Sequence, residues 1–228
     1  MSELQEELIA LLKRRGIADV GFAYIPNAGF GELQTAVSLV VRLSDAIVDE
    51  ITDRPTHSYF HHYRTVNAYI DASLLEAGLL LQAAGYRYIP VPASQTINEE
   101  AWQNGGESSY RGRFSHKQAA RLAGLGTVGK NALFLHRDYG CRVRLGTLFT
   151  DCPFETCKEP SASPCLGCDL CVKACPAGAL TGAQWTPETP REALFDPKKC
   201  SEHMKEVGKN TGRGAVCGVC MRVCPSRC

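Results

Sequence analysis

The chain has 228 residues, 44% of them hydrophobic, and sets 25 Lys and Arg against 24 Asp and Glu, a formal net charge of +1. That length allows one mid-sized domain or two small ones with a true core, and so even a charge balance carries no electrostatic signal for a polyanion. No apolar run approaches the roughly 20 residues that span a bilayer, and the first residues run from acidic to basic, the order of a helix macrodipole and the reverse of a signal peptide, so a cytoplasmic protein with no membrane partner is expected.

Leu4, Leu8, Leu11 and Leu12 recur at helical spacing and Gly16 closes the segment, so residues 3–15 read as an amphipathic helix. "ADVGFAYI" and "AVSLVVRL" are short, β-branched or aromatic, and strand-like. A long helix is expected from about His62 to Ala84, with Val66, Tyr69, Ile70, Leu74, Leu75, Leu79 and Leu81 as its apolar surface. "YRYIPVPA" reads as a strand ended by its prolines. Residues 94–114 are polar, Gly-rich and aperiodic, a loop long enough to suggest a functional role. "SHKQAARLA" follows as a helix with Ser115 as its N-cap, and "ALFLH" and "CRVRLGTLFTD" as two more strands. From Cys152 the composition turns to Cys, Pro, Gly and Lys, which divides the chain into domains 1–155 and 156–228.

"AGLGTVGKNA" sets Gly124, Gly126 and Gly129 in the spacing of a dinucleotide-binding fingerprint. That fingerprint needs a strand before it and a helix after it, because the phosphate sits on the helix N-terminus. Here a helix precedes and a strand follows, which argues against the Rossmann reading. The glycines then serve either a helix-to-strand turn or a backbone-lined wall against some other group.

The twelve cysteines decide more, and all but Cys141 and Cys152 lie from Cys157 onward. "CLGCDLCVKACP" places Cys165, Cys168, Cys171 and Cys175 as C-x2-C-x2-C-x3-C-P. This is the bacterial ferredoxin run, in which three thiolates hold one 4Fe–4S cube and the fourth holds another. "CGVCMRVCP" supplies Cys217, Cys220 and Cys224, one ligand short of a ferredoxin half, with Met221 read as the interruption. Cys200 in "FDPKKCSEHMK" is the convenient replacement. The expected sets are Cys165, Cys168, Cys171 and Cys224 on one cluster, and Cys175, Cys200, Cys217 and Cys220 on the other. Two zinc sites suit a three-membered C-x2-C-x2-C run poorly, and a disulfide framework does not suit a reducing compartment. Cys141, Cys152, Cys157 and Cys228 remain as buried or incidental thiols.

Taken in order, "SHKQAARLAGLGTVGKNALF", "YGCRVRLGTLFTD", the ferredoxin run, the isolated Cys200 and the final "CGVCMRVCP" resemble the epoxyqueuosine reductases and, more distantly, the reductive dehalogenases. The resemblance implies an α+β protein: a nitroreductase-like α/β domain that binds cobalamin, lower base detached, followed by a bacterial-ferredoxin-like domain whose two 4Fe–4S clusters feed electrons to the cobalt. It also implies cofactor contacts at His61, Tyr63, Gly126, Gly129, Lys130, Gly140 and His203. No catalytic residue is assigned. The family segment carrying an aspartate proposed to protonate the substrate here reads Pro90 to Ser94 and has no acid; Glu99, Glu100 and Glu107 are the nearby carboxyls. The helical-repeat extension that holds tRNA is absent from this sequence.

The expected function is an oxidoreductase passing electrons from two clusters to cobalamin, with a flavodoxin- or ferredoxin-type donor and a corrinoid or small-molecule substrate. A tRNA substrate comes from the resemblance alone, since no basic run with interleaved aromatics appears. Two alternatives stay open. One is an electron-transfer module without a small cofactor. The other is a reductase using flavin mononucleotide, its phosphate met by Arg111, Arg113 and Lys117.

Overall fold

A computed structural model describes residues 1–93, 110–156, 163–165, 167–209, 211–212 and 214–226. Its elements, in chain order, are α1 (Glu3–Arg14), β1 (Asp19–Tyr24), β2 (Thr35–Arg42), α2 (Asp45–Asp49), α3 (His57–Ala83), β3 (Tyr88–Val91), α4 (His116–Leu122), β4 (Gly126–Val128), β5 (Phe134–His136), β6 (Val143–Thr150), α5 (Leu170–Ala174), α6 (Arg191–Leu194), α7 (Pro197–Gly208) and α8 (Val219–Arg222). They form two compact units. One takes the described residues of 1–41, 66–125 and 144–161, the other those of 42–65, 126–143 and 162–228. A single cut at 155/156 therefore misses two segments that belong with the cysteines. Glu99, Glu100, Glu107, Cys157, Cys228 and most of the 94–114 loop lie outside the described residues.

The first unit is built on a four-stranded sheet of order β1-β2-β6-β3. β1 and β2 pair antiparallel, with Asp19 opposite Val40 and Tyr24 opposite Thr35. β3 and β6 do likewise, with Tyr88 opposite Thr150. Thr35 to Val41 is buried without alternation, as an interior strand covered on both faces must be. α1 is capped by Ser2 Oγ accepting from the Gln5 N–H at 3.3 Å, and its Glu3, Glu6 and Lys13, Arg14 ends oppose the helix dipole.

The buried stripe of α3 in this unit is Val66, Ile70, Leu74, Ala77 and Leu81. It closes on β6 at Gly146, where a Cβ would lie 2.5 Å from Ile70 Cγ2 and 2.9 Å from Leu39 Cδ1. Leu75 and Leu79, expected in that stripe, are 51% and 52% exposed. At 100° per residue they fall on the far side from Ile70, Leu74 and Leu81. Tyr69 stands at the margin, its hydroxyl donating to the Arg15 carbonyl and its ring under the Arg15 guanidinium.

α4 begins as the sequence suggests, with Ser115 Oγ accepting from the Gln118 N–H at 3.4 Å. It ends in a Schellman turn: the Leu125 N–H donates to Ala120 O at 3.0 Å, the Gly124 N–H to Arg121 O at 2.9 Å, and Gly124 has φ +72°. Gly124 thus serves a helix stop.

The second unit gathers α2, the start of α3, the β4–β5 hairpin and helices α5 to α8. The short helices α5 and α8 pack on one another, and α2 packs on α8. Arg142, 3% exposed, ties the hairpin segment to α2, donating to Asp45 Oδ1 at 3.0 Å and Asp49 Oδ1 at 2.7 Å. α8 starts at Gly218 (φ +85°), where a Cβ would lie 2.7 Å from Ile51 Cδ1.

Candidate metal centre

Cysteines from two separated runs meet in the second unit. Cys165, Cys168 and Cys171 lie in the loop leading into α5 and on α5 itself, and Cys224 follows α8. These four line one cavity of about 320 Å³, together with Lys130, Asn131, Pro164, Pro225 and Ser226. The packing of α5 on α8 brings the ends of the two runs together.

The other four also cluster. Cys175 ends α5, Cys200 sits on α7, Cys217 precedes α8 and Cys220 lies within it. Burial pushes the Cys200 thiol up to about 11, and the charges of Cys217 and Cys175 add to it. Cys220 is raised further by burial, and then by Cys217, Cys200, Cys175 and Cys171. Cys171 is pushed up to about 11 by burial, and then by Cys224, Cys165 and Cys168. Cys171 and Cys200 thus feel their own sets, and Cys220, which also feels Cys171, marks where the sets adjoin. These three buried, crowded thiols resist ionisation on their own. Metal cations remove both penalties, desolvation and mutual repulsion, at once. Two sets of four sulfurs suit two 4Fe–4S cubes.

Met221 does not mark the missing ligand. With Cys175–Pro176 aligned on Cys224–Pro225, the unfilled ligand position is Gly214. There φ is +144° and a Cβ would lie 3.1 Å from Phe60 Cε2. Only glycine is at ease in that backbone, so a ligand must come from elsewhere, and Cys200 is in reach on α7. Met221 is a buried core residue with Sδ 3.9 Å from Tyr59 Oη.

The later glycines of "AGLGTVGKNA" serve the hairpin. A Cβ on Gly126 would lie 2.1 Å from Leu135 O, and one on Gly129 2.9 Å from Asn131 Oδ1. Gly140 (φ +55°) bridges back to His136, donating to its carbonyl at 3.0 Å and accepting from its N–H at 2.8 Å. Lys130 lines the cysteine cavity, its Nζ 2.9 Å from Asp169 Oδ1. His61 is exposed on α3. His62 Nε2 accepts from the Ser44 N–H at 3.1 Å, and burial, with the neighbouring His61, lowers its pKa. Tyr63 is half-buried, its ring centroid 6.4 Å from that of Tyr59. His203, on α7 beyond Cys200, has a buried Nε2 with no hydrogen-bond partner among the described residues.

Sequence reasoning passed over Cys141. It is buried, its thiol donating to Met221 O at 3.5 Å. Cys141 draws the neighbouring Cys224 thiol down, and Cys224 and burial push the Cys141 thiol up. The signal available was its place in "YGCRVRLG", a segment already matched to a family.

Residues 164–227 match the family described as the 4Fe-4S double cluster binding domain. An epoxyqueuosine reductase of Listeria monocytogenes is 36% identical over 125 residues, 50% of this chain and 30% of the relative. The enzyme of the same name from Synechocystis is 32% identical over 125 residues, 50% of this chain and 40% of the relative. The chain thus matches only about a third of the length of these curated relatives. Among solved structures, epoxyqueuosine reductase from Bacillus subtilis covers 98% of this chain and 65% of its own, at 18% identity and a TM-score of 0.64. A catabolic reductive dehalogenase covers 96% of this chain and 31% of its own, at 18% identity and a TM-score of 0.72. The chain has the mixed α/β fold of these proteins, carries a double-cluster domain and is related in sequence to epoxyqueuosine reductases.

Proposed function

We propose that this chain is an iron–sulfur oxidoreductase of the epoxyqueuosine-reductase type. In this reading Cys165, Cys168, Cys171 and Cys224 hold one 4Fe–4S cluster, and Cys175, Cys200, Cys217 and Cys220 hold the second. The observation that carries it is the meeting of Cys224 with Cys165, Cys168 and Cys171 around one cavity. That crossing of ligands between runs is what a two-cluster ferredoxin requires.

When bound, such clusters pass single electrons at potentials spanning roughly −700 to +450 mV, and a cobalamin beside them would carry the substrate chemistry. The chain's own part is to ligate, to bury and to orient. Residues 156–228 supply the cluster ligands, and residues 1–155 supply most of the fold expected to hold cobalamin. Support for cobalamin comes from the shared fold with a reductive dehalogenase whose structure is described as suggesting B12-dependent dehalogenation. Within this chain the orphaned Nε2 of His203 is a polar atom that a bound group would satisfy. Gly126, Gly129 and Gly140 already have structural work, and Lys130 is turned to the cluster cavity, so His203 is the cofactor contact we retain. Flavin finds no support among the relatives, and Arg113, one of its candidate phosphate partners, lies 4.4 Å over the Phe30 ring.

The substrate is proposed to be a corrinoid or small molecule, with electrons from a flavodoxin- or ferredoxin-type protein. One structural relative is solved with an epoxyqueuosine-modified tRNA stem loop. A tRNA substrate here rests on such relatives, because the near-even charge balance of this chain carries no electrostatic signal for a polyanion. The test is titration of the anaerobically purified protein with cobalamin, followed by absorption and EPR. A base-off cobalt signal supports the reading. Full iron content with no cobalamin binding up to tens of micromolar leaves an electron-transfer module instead.

A further inference from the structure

We propose that Lys130, carried by the hairpin segment, raises the reduction potential of the cluster held by Cys165, Cys168, Cys171 and Cys224. The inference rests on the cluster reading above and concerns what surrounds the ligands. Lys130 is not a ligand; its charge acts on the cluster beside it.

Lys130 follows Gly129 in the turn between β4 and β5. Its side chain is 12% exposed, while that of its partner Asp169 is 50% exposed. The pair is therefore one-sided: the lysine side chain lines the cavity, and the carboxylate is the partner more open to screening by water. A fixed positive charge beside a group that gains an electron favours the reduced state.

Lys130 comes from 126–143, a segment distant in sequence from every ligand. Its inclusion in the second unit is what places it there.

The test is an EPR-monitored redox titration of the two-cluster protein, with Cys200→Ser used beforehand to mark which signal belongs to the other cluster. Lys130→Gln should lower the reduced-to-oxidised ratio of the unmarked cluster about tenfold at fixed potential, about 59 mV for one electron. Lys130→Arg, which keeps the charge, should hold it within about twofold. An intact signal whose midpoint does not move in Lys130→Gln, or a shift confined to the marked cluster, overturns this proposal alone. Absence of any iron–sulfur signal in the unmodified chain overturns the cluster reading with it.

Discussion

A Cβ placed on Gly126 would lie 2.1 Å from the carbonyl oxygen of Leu135, across the β4–β5 ladder. Backbone meets backbone there, so no side chain can yield. Gly126→Ala should therefore open the hairpin and cost about 2 kcal/mol or more. Gly129→Ala meets only the side chains of Asn131 and Leu135, at 2.9 Å, and should cost less. Urea unfolding of the two variants, with iron content beside it, checks the order.

Arg142 holds Asp45 and Asp49 with two separate nitrogens, at 3.0 and 2.7 Å. Arg142→Met should destabilise the protein by about 2 kcal/mol, since both charged hydrogen bonds go and the half-exposed carboxylates recover only part of that from water. Arg142→Lys keeps the charge without the fork and should fall between. Thermal melts of the three proteins test this.

In the proposed ligand sets Cys200 takes the place that Gly214 leaves unfilled. Cys200→Ser should lose or degrade one cluster. Adding Met221→Cys should not restore it, because Met221 is packed against Tyr59 in the core. Iron analysis should give about four irons per chain for single and double variants alike if the altered cluster is lost.

Asp151 carries a dependence on acid. Burial works against its ionisation, but Arg87 Nε at 2.7 Å and the Arg87 backbone N–H at 2.9 Å more than offset it, so its pKa lies below the ordinary value. A carboxyl depressed in the folded state adds stability above its unfolded pKa of about 3.9, and that stability is lost as pH falls through the folded value. Asp151→Asn should be less stable than the parent at pH 7 and lose the difference in this acid range. Urea midpoints measured from pH 7 to pH 2 show whether the two curves converge.

Local signals in the sequence were enough for α1, β1, β2, α4 with its Ser115 cap, and β6, whose patterns repeat every two or three to four residues. β4 was hidden: three residues inside a glycine motif have no period to detect. Leu75 and Leu79 look as apolar as Leu74, and only the rotation of α3 against its sheet separates them. The cysteine spacing suggested the proposed ligand sets, because tight turns between ligands are a local constraint. The surroundings of those sets were not legible. Lys130, Cys141 and Arg142 reach the second unit through long-range packing, which no window of sequence encodes.

The proposed function stands on two four-iron clusters with crossed ligands. Its most direct test is iron, acid-labile sulfide and zinc analysis of the anaerobically purified chain, repeated on Cys224→Ser. About eight irons and eight sulfides are expected in the parent, with negligible zinc. Cys224→Ser should alter the same EPR signal as Cys168→Ser, and leave the signal altered by Cys217→Ser intact. Iron near zero with stoichiometric zinc, or a Cys224→Ser change that falls on the Cys217 signal, would contradict it.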